Sequence, residues 1–147
     1  MTRSRRLVLA SLVALALLSV VVVAEAERNY ATVTTLDRST ASVVDATLEE
    51  RAVVTLRVHN SMRRAVRVEY VTISLSGDNA SGLASTPYNE HRKLPPGEER
   101  ITGVVPLRQV DGELAEGDRV TVGGSVAVRV YNAYRFEIPI EPTEVTL

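Results

Sequence analysis

The sequence predicts an all-β domain, an immunoglobulin-like antiparallel β-sandwich of about seven strands, preceded by a single N-terminal transmembrane or signal helix. An uncharged apolar run occupies residues 7–24. The chain after it alternates β-branched and polar residues, the pattern of half-buried strands. Turn signals recur every ~10–15 residues with no amphipathic helix between them, as in sandwich domains. An up-and-down barrel is the alternative fold.

The apolar run Leu7–Ala24 predicts a membrane-spanning helix. As a helix it would be ~27 Å long, close to the ~30 Å hydrocarbon thickness of a bilayer. Arg3, Arg5 and Arg6 precede the run, and acidic residues begin only at Glu25. The positive-inside rule then places the N-terminus in the cytoplasm and the rest of the chain outside. This interpretation gives a single-pass cell-membrane protein that contacts the membrane through residues 7–24.

The same residues also have the layout of a signal peptide, and this alternative stays open. Ser4–Leu9 resembles a twin-arginine export motif. Ala24-Glu25-Ala26 resembles an A-x-A cleavage site, so cleavage near Ala26 would release a secreted protein. Either way, we expect residues 1–26 to be an anchor or signal peptide and residues 27–147 to be an extracytoplasmic β-sandwich domain.

The first half of the domain contains four predicted strand segments. Tyr30–Leu36 is a plausible first strand, and Thr40–Leu48 is either a second short strand or an irregular segment. Ala52–His59 alternates regularly, and the turn Asn60–Arg64 follows it. Ala65–Ser76 also alternates, but its parity switches. A β-bulge near Tyr70–Val71 would keep both apolar sets in the core, and these sets are Val66, Val68 and Tyr70, then Val71, Ile73 and Leu75.

Proline and glycine mark the turns of the next stretch. Gly77–Gly82 and Leu94–Glu98 are turn clusters. A short edge strand is predicted at Pro87–Arg92, a strand at Glu99–Leu107 and a polar loop at Gln109–Gly117.

The last two strands form a hairpin in the prediction. Arg119–Tyr131 is the longest alternating run, and Gly123-Gly124 within it indicates a thinned strand or a backbone that crosses nearby. Asn132-Ala133 is the predicted turn. Tyr134–Ile140 is the final strand, and Pro139 within it suggests a position at a sheet edge.

Composition excludes several classes of function. The chain has no cysteine, which rules out disulfides, thiolate metal sites and a cysteine nucleophile. A net charge of −1 without a clustered basic segment argues against a nucleic-acid partner. No phosphate-binding loop or dinucleotide glycine pattern is present, and no small-molecule substrate or cofactor is indicated.

No catalytic or metal-binding residue is predicted, and we do not expect an enzyme. The two histidines, His59 and His91, have no further ligand beside them in the sequence, whereas a metal site needs several converging ligands. Gly124-Ser125 lacks the second glycine of a nucleophile elbow and lies within a strand.

Two sequence motifs are typical of residues on a protein surface. Asn79-Ala80-Ser81 is an N-glycosylation sequon in a predicted turn. Arg129, Tyr131, Tyr134 and Arg135 cluster at the last hairpin, where such residues form either a recognition surface or the rim of a core with snorkelling arginines.

Four segments of the chain are similar to those of a known family: VTLRVHN, VRVEYVTISLSG, LPPGEERITGVVPL and VTVGGSVAVRVYNAYRFEIPI. They resemble the type 2 late embryogenesis abundant (LEA) proteins, also called the WHy (water stress and hypersensitive response) domain. The resemblance covers about residues 30–147. Asn60 matches the first asparagine of the family's turn, whereas Ser61 and Met62 depart from its proline and second asparagine.

The resemblance implies a folded, non-enzymatic sandwich related to stress or desiccation, often carried on an export signal or anchor. It implies no catalytic residues. The alternative is a cell-surface binding or assembly module, secreted or pilin-like, with a protein partner at the cell surface.

Overall fold

The computed structural model describes residues 3–89, 91–131 and 134–147, without the side chains of residues 3–10, 29, 32 and 33. The chain divides into two compact units, Met1–Thr35 and Leu36–Leu147.

A helix, α1, runs from Arg3 to Leu36, and all of it except Leu36 belongs to the first unit. The strand predicted at Tyr30–Leu36 is therefore wrong. Threonines favour strands, but here their hydroxyls bond back to the preceding helical turn: Thr34 Oγ1 donates to Tyr30 O at 2.9 Å and Thr35 Oγ1 to Ala31 O at 2.6 Å. This back-bonding satisfies the hydroxyls inside a helix.

The predicted membrane segment, residues 7–24, lies within α1. The side chains of residues 7–10 lie outside the description. The Ser19 hydroxyl donates to Leu15 O at 2.8 Å, as expected for a serine inside an apolar helix. In the part of the chain that the structure describes, no helical stretch combines the length and the apolar character that crossing a membrane requires.

The described residues of the second unit form nine strands instead of about seven. They are β1 (Thr40–Leu48), β2 (Arg51–Asn60), β3 (Val66–Gly77), β4 (Ala80–Pro87), β5 (Lys93–Leu94), β6 (Gly97–Pro106), β7 (Val110–Gly112), β8 (Arg119–Val130) and β9 (Tyr134–Thr146). The segment left open at Thr40–Leu48 is a strand. The edge strand predicted at Pro87–Arg92 is replaced by the two-residue β5, and β7 lies where a loop was predicted.

The strands form one hydrogen-bonded sheet in the order β6-β2-β1-β9-β8-β3-β4-β7, with β5 attached to β3. The sheet is mixed, because β1 and β9 are parallel and pair at Ala41 and Ile140. The expectation of a purely antiparallel sheet is therefore wrong. Pro139 is also not at an edge, since β9 lies between β1 and β8. Its missing N–H is tolerated because the pairing with β1 is confined to one register pair. The immunoglobulin-like sandwich arrangement stays a prediction.

The core lies on one face of this sheet. Its fully buried side chains include Leu56, Val58, Val71, Ile73, Val126, Val128 and Ile138. Strand β6 crosses β3 closely at Gly103, where a Cβ would lie 2.4 Å from Ile73 Cγ1. The sheet therefore curls so that β6 and β3 face each other across the core.

Gly124 in β8 confirms the predicted close backbone approach. Its φ is +127°, and a Cβ there would lie 2.0 Å from the carbonyl oxygen of Thr72 on β3. Only glycine fits such a conformation and such a distance.

Candidate functional site

A β-bulge in β3 shapes a highly charged part of the outer face. The register between β3 and β8 shifts between Val68 and Tyr70, which leaves Glu69 as the extra residue. The sequence predicted this bulge near Tyr70–Val71. The observed bulge keeps Val68 and Val71 buried, as expected, but Tyr70 is half-buried and its ring lies on the outer face. The predicted core position of Tyr70 is therefore wrong.

Four cations lie in one line across the outer face. Lys93 on β5 lies opposite Arg67 on β3, and Arg67 lies opposite Arg129 on β8. Arg129 in turn lies opposite Arg135 on β9. We call these four residues the cationic row. Adjacent strands are ~4.8 Å apart, so the row extends about 14 Å across the strands. Directly opposed like charges destabilise a sheet, so this row needs compensation.

The carboxylate of Glu69 supplies part of that compensation. Arg129 Nε lies 2.6 Å from Glu69 Oε1, and Arg67 Nη2 lies 3.5 Å from the same oxygen. Arg135 Nε lies 3.6 Å from Glu69 Oε2. The hydrogen bond from Arg129, with the charges of Arg129, Arg135 and Arg67, lowers the pKa of Glu69, although burial of the carboxyl opposes this. Glu69 is therefore ionised at neutral pH and faces three guanidinium groups.

A second, less charged row borders the cationic row. Tyr70, Ala127 and Glu137 are register partners on β3, β8 and β9. The Arg135 guanidinium lies 4.6 Å from the centre of the Tyr70 ring, within cation–π range. Tyr70 Oη donates to Glu137 Oε1 at 3.5 Å, and Ser125 Oγ donates to Glu137 Oε2 at 3.4 Å. The cationic row is thus bounded on this side by a tyrosine and a carboxylate.

Two exposed tyrosines lie at the end of the β8–β9 hairpin. Tyr131 has a positive φ of 54° and is 53% exposed. The Arg64 guanidinium lies 4.3 Å from the centre of its ring. Tyr134 is 45% exposed. The turn residues predicted between them, Asn132-Ala133, lie outside the described residues.

The structure brings the predicted recognition residues to one region. Arg129 and Arg135 share the Glu69 carboxylate, and Tyr131 and Tyr134 border the adjoining hairpin. Their role in recognition stays a prediction. Sequence reasoning missed Glu69, Arg67, Lys93, Arg64 and the outward ring of Tyr70. The parity switch in β3 was the available signal for Glu69, because the extra residue of a bulge turns outward.

The β2–β3 turn beside this surface is built on a buried amide. Asn60 is 2% exposed, and its Nδ2 lies 2.9 Å from Arg64 O, 3.1 Å from Leu94 O and 3.2 Å from Pro95 O. Its Oδ1 accepts from Met62 N at 3.0 Å. Asn60 therefore holds the turn that carries Arg64 and ties it to Leu94 at the end of β5 and to Pro95 after it.

The remaining predicted positions lie apart from this surface. Asn79 is exposed in the turn before β4, and Ala26 is exposed within α1. His59 lies between Thr40 and Glu98 in register, and His91 is exposed. Among the described residues, no group of three or more histidine or acidic side chains is arranged to hold a metal ion. Glycosylation at Asn79 and cleavage near Ala26 stay predictions.

No family model matches the chain, and no curated protein matches it. Solved structures do resemble it. The solution structure of a protein described as late embryogenesis abundant has a TM-score of 0.50 at 12% identity, covering 82% of this chain and 86% of that one. A structural genomics target solved by X-ray crystallography has a TM-score of 0.48 at 13% identity, covering 75% and 84%. The first likeness shows fold alone, and at that level it confirms the resemblance: this chain has a LEA-like fold.

Proposed function

We propose that this chain is a non-enzymatic module related to stress or desiccation, held outside the cell by its N-terminal segment. The observation that carries the proposal is the three-dimensional likeness to a LEA protein over 82% of the chain.

A drying experiment tests the protective role. The full chain in nanodiscs is mixed with a drying-sensitive enzyme, dried and rehydrated, beside empty nanodiscs and an inert protein at equal mass. We expect the enzyme to retain more activity with the chain present. Retention no better than with the inert protein would contradict the stress-related part of the proposal.

Membrane attachment is the second part of the proposal. It is supported by the arginines at positions 3, 5 and 6 and by the apolar run that follows them. Cell fractionation and the intact mass of the natively expressed protein test it. Residues 1–26 retained in the membrane fraction would support an anchor. A soluble exterior form that begins at Glu27 would replace the anchor with a cleaved signal peptide.

A binding module at the cell surface is the second candidate. The exposed tyrosines Tyr131 and Tyr134 beside the arginines favour it, because interface hot spots are enriched in tyrosine and arginine. Cross-linking in intact cells followed by mass spectrometry should recover a stoichiometric protein partner. A chain that is recovered only as a monomer would count against a protein partner.

A further inference from the structure

We infer that the cationic row is a binding track for a linear polyanion, and that its ligand is an acidic polysaccharide with a carboxylate on each sugar. The inference deepens the binding-module candidate by naming a ligand class, and it does not depend on the stress-related role.

The charge balance of the row is the first argument. Lys93, Arg67, Arg129 and Arg135 supply four positive charges, whereas Glu69 is the carboxylate that the three arginines contact. Like charges opposite one another on adjacent strands destabilise the sheet. Glu69 carries one negative charge against these four positive charges. An external anion that lies along the row would reduce the repulsion that remains between the cations. Arg67, Arg129 and Arg135 retain 29%, 35% and 48% side-chain exposure, so a ligand can reach them.

The shape of the row is the second argument. It presents one cation per strand in a single line, with neighbours ~4.8 Å apart. Along one side it is bordered by Tyr70 and by the carboxylate of Glu137. A flat anionic membrane would bring headgroups against Glu137, whereas a chain one sugar wide would lie along the row and avoid it.

The anion already present is the third argument. The three arginines converge on a carboxylate, with Arg129 Nε 2.6 Å from Glu69 Oε1. Planar guanidinium groups match carboxylate geometry closely. At the hairpin beyond the row, the exposed rings of Tyr131 and Tyr134 offer flat apolar surfaces of the kind on which sugar rings stack. Together these features favour uronate sugars over nucleic acid, whose recognition also requires a broader basic surface.

Titration calorimetry on the full chain in zwitterionic nanodiscs tests the inference. The probes are a galacturonate tetramer, galacturonate monomer and the fully methyl-esterified tetramer, which keeps the sugars and removes the charge. We expect the tetramer to bind more tightly than the monomer, the ester to bind weakly, and the affinity to fall with added salt. The tetramer should also raise the unfolding temperature.

Matched charge-removal variants localise the binding. The double variant K93Q/R135Q removes the two ends of the row and spares the Arg129–Glu69 ion pair. The control R57Q/R100Q removes the same charge from exposed register partners on β2 and β6. We expect K93Q/R135Q to weaken tetramer binding by about tenfold or more, since each substitution removes a charge-assisted hydrogen bond to a carboxylate of the ligand. The control should change it by less than about twofold.

Three results would overturn the inference: a tetramer that binds no better than the monomer, equal losses in the two double variants, or binding to phosphatidylglycerol vesicles with none to the tetramer. If a protein partner is recovered by cross-linking while the tetramer fails to bind, the ligand class is wrong and the binding-module candidate stands.

Discussion

The hydroxyl of Thr86 bonds to both backbone groups of Val104: Val104 N donates to Thr86 Oγ1 at 2.8 Å, and Thr86 Oγ1 lies 3.3 Å from Val104 O. Tyr88 does the same two residues away, where its hydroxyl contacts both the N–H and the carbonyl of Thr102. Strand β6 ends the sheet order. Thr86 lies near the end of β4 and Tyr88 directly after it. Their hydroxyls therefore occupy backbone groups on the outer edge of β6 with which another strand could otherwise pair.

The first prediction concerns Thr86. Thr86→Val keeps the shape of the side chain and removes the hydroxyl, which leaves the backbone of Val104 without that partner. We expect the free energy of unfolding to fall by about 1–3 kcal/mol, measured by urea denaturation of the full chain. Thr86→Ser keeps the hydroxyl and should lose clearly less. Equal losses in the two variants would contradict the bridging role.

The second prediction concerns self-association. The double variant T86V/Y88F frees two backbone positions on β6, and an uncovered strand edge is a template for pairing with another chain. We expect concentration-dependent dimers or larger species by light scattering in conditions where the unmodified chain shows fewer. An unchanged mass distribution in the double variant would mean that the hydroxyls do not protect this edge.

The third prediction concerns the turn amide. Asn60→Ala removes the donor shared by Arg64 O, Leu94 O and Pro95 O and the acceptor used by Met62 N. Buried groups left unpaired cost ~1–3 kcal/mol each, so we expect a loss of at least about 2 kcal/mol. Arg63→Ala, at an exposed position in the same turn, is the comparison variant. A loss no greater than that of Arg63→Ala would refute the role of the amide.

The fourth prediction concerns pH. The pKa of Glu69 is lowered in the folded state by the hydrogen bond from Arg129 and by the nearby arginine charges. The resulting stabilisation is therefore present above the unfolded pKa and is lost as pH falls through the folded pKa. Glu69→Gln should be less stable than the unmodified chain at pH 7, and the gap should close at acid pH. If the difference in unfolding free energy between Glu69→Gln and the unmodified chain stays constant on acidification, the ionised carboxylate is not the cause of that difference.

The fifth prediction compares two glycines with positive φ. Gly124→Ala would place a Cβ 2.0 Å from Thr72 O, whereas at Gly97 (φ +93°) nothing lies within 4 Å. Both variants meet backbone strain of ~1–3 kcal/mol, but only Gly124→Ala must also push β3 away. We expect Gly124→Ala to be the more damaging by thermal unfolding, and similar losses would contradict the close approach.

Sequence reasoning found the elements whose side chains alternate and missed those that depend on partners in space. The long strands β2, β3, β8 and β9 were predicted because their alternation is local. The end of α1 was misassigned since Thr34 and Thr35 have strand propensity, a weak prior that helical back-bonding overrides here. At the site, Arg129 and Arg135 were close enough in the chain to be grouped. Arg67 and Lys93 join them only through the pairing of β3, β5 and β8, which no local pattern reports.

The single extra residue at the bulge, Glu69, determines both the charge of the outer face and which side chains of β3 enter the core. The same insertion that turns the carboxylate outward shifts the phase of the rest of β3, which brings Val71, Ile73 and Leu75 into the core. A deletion at this position would therefore rotate three apolar side chains outward while removing the anion that the arginines share. Substitutions can change the charge of this surface without moving the core residues of β3, whereas an insertion or deletion in the strand cannot. Natural variants of β3 should therefore keep the same number of residues.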